Sequence, residues 1–196
     1  MTEQERQNMD EFREQQRHIA EQWLHKGNIT DEKNDDTIIF ARFFFYFTGF
    51  NAMYFLYKEI DNLDGRYTPP KKCPEYKQIE HLLDKFDETT AQKIRNNIEP
   101  SIKFFSNRSI QPMNIRNERE RKRIAEKNKT NILNSSSVKE KIKALGQAIY
   151  NVRCNLYHGS KEASADDQRI VSNCIKPLEV FLEKAIKYEN YHKRIT

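Results

Sequence analysis

A chain of 196 residues with only five glycines and six prolines suits a single domain built of helices, with room for an insertion. At 37% hydrophobic and 32% charged it is polar for a globular protein but can still bury a core. The net charge of +5 permits a polyanionic partner without requiring one. Three cysteines without C-x-x-C spacing argue against a disulfide framework or a zinc site.

Cys73, Cys154 and Cys174 read as thiols of a reducing compartment. No signal peptide is expected, because Met1 is followed by Thr2, Glu3, Gln4, Glu5 and Arg6. Both observations point to a cytoplasmic chain.

In chain order, residues 3–26 are expected to form a helix with a thin apolar face of Phe12, Ile19 and Trp23, stopped by Gly27 and Asn28. Asp35, Asp36 and Thr37 then cap the most apolar stretch, Ile38 to Ile60. Phe40, Phe43, Phe44, Phe45, Phe47, Phe50 and Phe55 fall within it. About 20 such residues could span a bilayer. Arg42 and Asn51 interrupt the run, and an arginine at the centre of a spanning helix costs roughly 2.5–3.5 kcal/mol. A buried central helix without membrane contact is the expectation. Asn51 within it needs hydrogen-bond partners: it either ties two core helices together or points at a functional cluster.

Residues 61–77 carry turn signals, namely Asp64-Gly65, Pro69-Pro70 and Cys73-Pro74. A short helix over Glu75 to Phe86 is expected, with Ile79, Leu82, Leu83 and Phe86 as its apolar face and His81 on a solvated side. Another is expected over Glu88 to Ile98, ending before Pro100. Ser106 to Asn134 mixes Arg108, Arg116, Arg119, Arg121, Lys122, Arg123, Lys127 and Lys129 with Glu118, Glu120 and Glu126. Few apolar residues mark it as a mobile loop or exposed helix. Two roles fit it: an electrostatic guide for nucleic acid through Arg121, Lys122 and Arg123, or a solvated linker. The acids dilute the patch, and no aromatic residues interleave for base stacking.

The strongest periodicity follows. Val138, Ile142, Leu145, Ile149, Val152 and Leu156 are spaced by alternating fours and threes and form one apolar stripe. Ser137 with Glu140 makes a capping box, and Gly159 suits a helix end. The next helix is capped by Ser164 with Asp167. Its apolar face is Ile170, Cys174, Leu178, Phe181 and Ala185, widened by Val171, Ile175, Leu182 and Ile186, with Pro177 expected to kink it. Tyr188, Tyr191 and His192 form a polar tail.

The foot of the striped helix gathers Arg153, Asn155 and His158. An Arg followed by His after four to six residues has little value alone; with 14 arginines and five histidines, chance gives about one match, and Arg13 with His18 is another. Context separates them: Arg13 and His18 sit in a run of Gln, Glu and Arg that reads as a solvated face. On a regular helix His158 lies about 140° around from Arg153. The two converge only if the helix ends near Tyr157 and His158 turns back, or if a second copy faces the first.

The segment Arg153-Cys-Asn155-Leu-Tyr-His158-Gly-Ser-Lys161 resembles the R-x4-6-H motif of HEPN domains, often written R-N-N-L-F-H-G-G-K. Phe50-Asn51-Ala52-Met53-Tyr54 is similar to the F-N-A-L-Y segment on an earlier helix of some members. The two segments come in the family's order, and the resemblance covers roughly residues 8–60 and 135–190. Cys154 departs from the pattern, where Asn, His or another polar residue is usual.

The resemblance implies an all-α, HEPN-like helical bundle: a single domain over 1–196, with 61–134 as a variable insertion containing the partly mobile basic segment. It implies a metal-independent endoribonuclease that needs no cofactor, in a toxin or antiviral-defence role. RNA is the expected substrate, a homodimer the expected assembly, and an antitoxin or regulatory protein a further expected partner.

The chemistry of the residues fits. RNA carries its own nucleophile, the 2′-hydroxyl. An imidazole near neutral pKa can take that proton or protonate the leaving oxygen, and a guanidinium can hold the scissile phosphate. His158 is assigned acid/base work and Arg153 the phosphate. Asn155 and Asn51 are supporting residues, and Lys161 is placed at a neighbouring phosphate. No metal constellation, Walker loop or nucleophile elbow is legible. On the residues alone, Arg153 and His158 could equally cap and tie a helix end. A non-cleaving HEPN-like domain and a structural helical adaptor are the alternatives.

Overall fold

The structure is a computed structural model that describes residues 2–29, 36–63, 75–113, 115–158 and 164–192. It leaves out the side chains of residues 36, 37, 63, 157, 158 and 189–192. Every element among the described residues is a helix: α1 (Glu3–Ile29), α2 (Asp36–Leu63), α3 (Glu75–Asp84), α4 (Glu88–Asn97), α5 (Glu99–Phe105), α6 (Glu118–Asn134), α7 (Val138–His158) and α8 (Ala165–His192). The all-α expectation holds. The chain divides into two compact units, residues 1–82 with 178–196 and residues 83–177. The boundaries fall inside α3 and at Pro177 within α8. α8 runs through Pro177 as one helix.

In the first unit α1 packs along α2. Trp23 lies against Phe45 with ring centroids 5.4 Å apart, and Phe12 meets Phe55 edge-on at 5.9 Å. α1 buries only Ala20 and Gly27, as its thin apolar face requires. Gly27 does not stop the helix, which continues to Ile29. Glycine is there for proximity: a Cβ at that position would lie 2.3 Å from the ring of Tyr46. That ring is fully buried, and its hydroxyl donates to Asn28 Oδ1 at 2.8 Å, so it cannot swing aside. Gly27→Ala is therefore expected to lower stability by about 1–2 kcal/mol, the overpacking strain exceeding alanine's better helix propensity. Urea denaturation measures it; an unchanged midpoint would show that the ring yields.

α2 is long and apolar enough to cross a membrane by length and composition. Much of its apolar surface is used inside the fold. Phe43, Tyr46, Phe47, Phe50, Met53, Tyr54 and Leu56 are all buried, and Phe50 packs on Phe181 of α8 at 5.8 Å between centroids.

In the second unit α7 is the central helix, contacted by α4, α5 and α6. Ile142, Leu145, Ile149 and Val152 of the expected stripe are buried. Ser137 Oγ accepts from Glu140 N at 3.3 Å, half of the expected capping box. The box before α8 is complete: Ser164 N donates to Asp167 Oδ2 at 3.0 Å, and Asp167 N donates to Ser164 Oγ at 3.1 Å. α4 ends before Pro100, as expected, with Ile98 as its C-cap, and Pro100 belongs to the next helix. It sits in the first turn of α5, where its missing N–H costs no intrahelical bond.

Of the two readings of the basic segment, mobile loop or exposed helix, the helix is found over Glu118–Asn134, largely exposed but docked by one face. α6 starts at Asn117, whose side chain accepts from Glu120 N, and it buries Ala125, Asn128 and Ile132. Residues 107–113 and 115–117 before it form a strap held by three helices. Asn151 Nδ2 donates to Ile110 O at 3.3 Å, and Arg121 Nη1 donates to Ile115 O at 3.0 Å. Arg108 forks onto Asp166, with both bonds at 2.8 Å. Backbone groups with side-chain partners replace the freedom that the sparse apolar content suggested.

Candidate functional site

The Arg153–His158 segment closes α7. The helix runs to His158, its last described residue, one position past the end expected near Tyr157. Positions 153 and 158 therefore remain about 140° apart around the axis and about 7.5 Å apart along it. Arg153 is half-buried, with Val152 and Cys154 buried on either side. The side chain of His158 and all of Lys161 lie outside the described residues.

Cys154 is 3% exposed. The departure from the family's polar residue thus falls on a position turned into the core, where a thiol serves as a small apolar group. Cys174 is equally buried, donates to Ile170 O at 3.3 Å, and has its thiol pKa pushed well above the ordinary value by burial. Neither thiol has the exposed, electropositive setting of a reactive cysteine.

Asn155 has a definite and different job. Its Nδ2 donates to Gln111 O at 3.0 Å, and its Oδ1 accepts from Met113 N at 3.1 Å. One carboxamide grips the strap by two backbone groups. Asn151, one turn earlier, holds the carbonyl just before them. Positions 151 and 155 share a face of α7, about 160° from position 153. Asn155, assigned a supporting role by its place in the motif, thus fixes the strap, on the side of the helix away from position 153.

Asn51 is exposed on α2, so it is not the core tie between helices that its apolar surroundings suggested. It belongs to the first unit and Arg153 to the second. His18 is exposed and bonded to Gln22 of its own helix at 2.8 Å, as a solvated face requires.

The basic candidates of α6 divide by role. Arg121 is a strut: its Nη1 holds the carbonyls of Ile115 and, at 3.3 Å, Arg116. Lys122 pairs with Glu118 at 2.7 Å, and Arg123 lies 3.9 Å from Glu120. The Lys122 ammonium lowers the Glu118 carboxyl pKa. Such exposed pairs add little stability, but they do offset the charge of the patch.

Two features escaped the sequence. His81 is not solvated: its Nε2 lies 2.6 Å from Asp61 Oδ2, and Asp61 is 2% exposed at the end of α2. Tyr54, one face-length earlier on α2, donates to Glu75 at the start of α3. These pairs join groups about twenty residues apart, a tertiary fact that no local pattern encodes. Among the described residues no three His, Cys, Asp or Glu side chains gather as a metal site would require.

No family model, no curated protein and no solved structure matches this chain.

Proposed function

We propose that the chain is a metal-independent endoribonuclease of HEPN type, acting on cellular or foreign RNA as a toxin or antiviral effector. The observation that carries this reading is the unbroken course of α7 through His158, beside its resemblance to the R-x4-6-H segment. A regular helix keeps Arg153 and His158 on different faces, so one copy does not bring guanidinium and imidazole to the same phosphate. Two copies related by a two-fold axis do, since each segment meets its own image. Such a groove offers two imidazoles, one to remove the 2′-hydroxyl proton and one to protonate the leaving oxygen, with two guanidiniums on the charge that builds between. The protein is thus proposed as a homodimer, with an antitoxin or regulator as a further partner.

The engagement of both polar atoms of Asn155 by the strap favours a second reading, a HEPN-like domain that binds RNA or a partner without cutting. One experiment separates the two. Purified protein is incubated in EDTA with RNA and with an all-deoxy strand of the same sequence, across a dilution series followed by analytical ultracentrifugation. Cleavage of RNA alone, with activity per chain falling as dimer dissociates, is expected. RNA binding without turnover selects the second reading. Full activity per chain in a monomeric sample contradicts the shared site.

A further inference from the structure

A stack of side chains in the second unit is not used by the site above. The ring of Phe104, on α5, has two guanidiniums against it: Arg108 Cζ is 4.8 Å and Arg169 Cζ 5.6 Å from its centroid. Arg108 is locked in plane by its fork on Asp166, which holds that carboxyl below its ordinary pKa. Asp167, next to it, is committed to the Ser164 cap. Arg169 is exposed and makes no ion pair among the described residues. Two guanidiniums thus lie against one ring, with Asp166 as the carboxylate beside them.

The stack is tied to α7 through the strap, since Arg108 stands two residues before Ile110, the residue gripped by Asn151. Positions 151, 155 and 158 fall at i, i+4 and i+7, on one face of that helix. Position 158 lies about 10 Å further along the axis than 151. The strap thus links the stack to the face of α7 that carries Asn151 and Asn155.

We infer that Phe104, Arg108 and Arg169 form a nucleotide subsite for single-stranded RNA, taking a base on the stacked ring and guanidinium planes and a phosphate at Arg169. This rests on the proposal that RNA is the substrate. Guanidinium and phenyl planes are the surfaces on which unpaired bases stack, whatever the sequence. Asp166 is bonded to Arg108 and acts on Arg169 only through its charge, so a phosphate at Arg169 adds a directly bonded anion.

The test is fluorescence anisotropy with a short, labelled, single-stranded 2′-O-methyl RNA, which binds but offers no 2′-hydroxyl for attack. Arg169→Gln and Phe104→Leu are each expected to weaken binding about 10-fold. Arg169→Gln should also make the salt dependence shallower by about 0.7 in log–log slope. Lys93→Gln, an exposed cation of α4 removed at the same charge cost, should stay within about twofold. Thermal melting of each variant separates lost affinity from lost fold; Arg169, being exposed, is expected to melt as wild type. Affinity of Arg169→Gln equal to that of Lys93→Gln, or no binding of the probe by wild type, overturns the subsite. Cleavage of ordinary RNA is measured in parallel. Stack-dependent binding without cleavage removes the ribonuclease reading and leaves the subsite standing. Cleavage with unchanged Arg169→Gln affinity does the reverse.

Discussion

His158→Ala is expected to lower RNA cleavage by about 10²–10⁴-fold, the usual worth of a positioned acid or base, while melting as wild type does. The position ends α7, and thermal melting of the variant separates lost chemistry from lost fold. Arg153→Ala should cause a loss of similar size. Because Arg153 is half-buried between Val152 and Cys154, its aliphatic stem also packs, and Arg153→Lys is the cleaner variant. Lysine keeps the charge and most of the stem but loses the planar fork, so it should fold normally and remain strongly impaired. His18→Ala, the chance match on α1, should cleave at the wild-type rate. Equal initial rates for wild type and His158→Ala would remove the proposed chemistry.

The largest stability effect is expected at Phe50. It is 1% exposed, meets Tyr54 edge-to-face at 5.6 Å and packs on Phe181, itself fully buried. Truncation to alanine leaves a cavity walled by two rings that have little room to collapse. Phe50→Ala should cost about 3–5 kcal/mol, a large share of the roughly 5–15 kcal/mol that holds a domain together. Thr48→Ala, two residues away and exposed, loses only a hydroxyl bond to its own helix and should stay within about 0.5 kcal/mol. Urea denaturation in detergent-free buffer measures both. A cost below about 1 kcal/mol for Phe50 would mean that the ring is not a core element, reopening the membrane reading of α2.

What could be read from the sequence follows from how each element is stabilised. α7 and α8 announce themselves because their apolar residues repeat at helical spacing and their capping boxes are local. Buried Leu145, Ile149, Leu178 and Phe181 stand where the periodicity put them. α6 does not announce itself. Its buried face is Ala125, Asn128 and Ile132, too small and too polar to register until α7 is there to cover it. The strap is invisible for the same reason, since most of its order comes from Asn151, Asn155 and Asp166, all distant in sequence, with Arg121 alone nearby. Gly27 was read as a breaker, yet it permits a close helix approach; α4 does end before Pro100, but the helix that Pro100 opens was not legible. Around the candidate site, the Arg153–His158 spacing was legible as a motif. That Asn155 faces away from Arg153 follows from helical geometry, but its grip on the strap does not.

The chemistry of the new RNA ends tests the central proposal most directly. Purified protein is incubated with total RNA in EDTA, and the 3′ termini it creates are identified. Attack by the 2′-hydroxyl leaves 2′,3′-cyclic phosphates, and these are the expected ends, absent with His158→Ala. New 3′-hydroxyl ends, or cutting that stops in EDTA and returns with added metal, would contradict it.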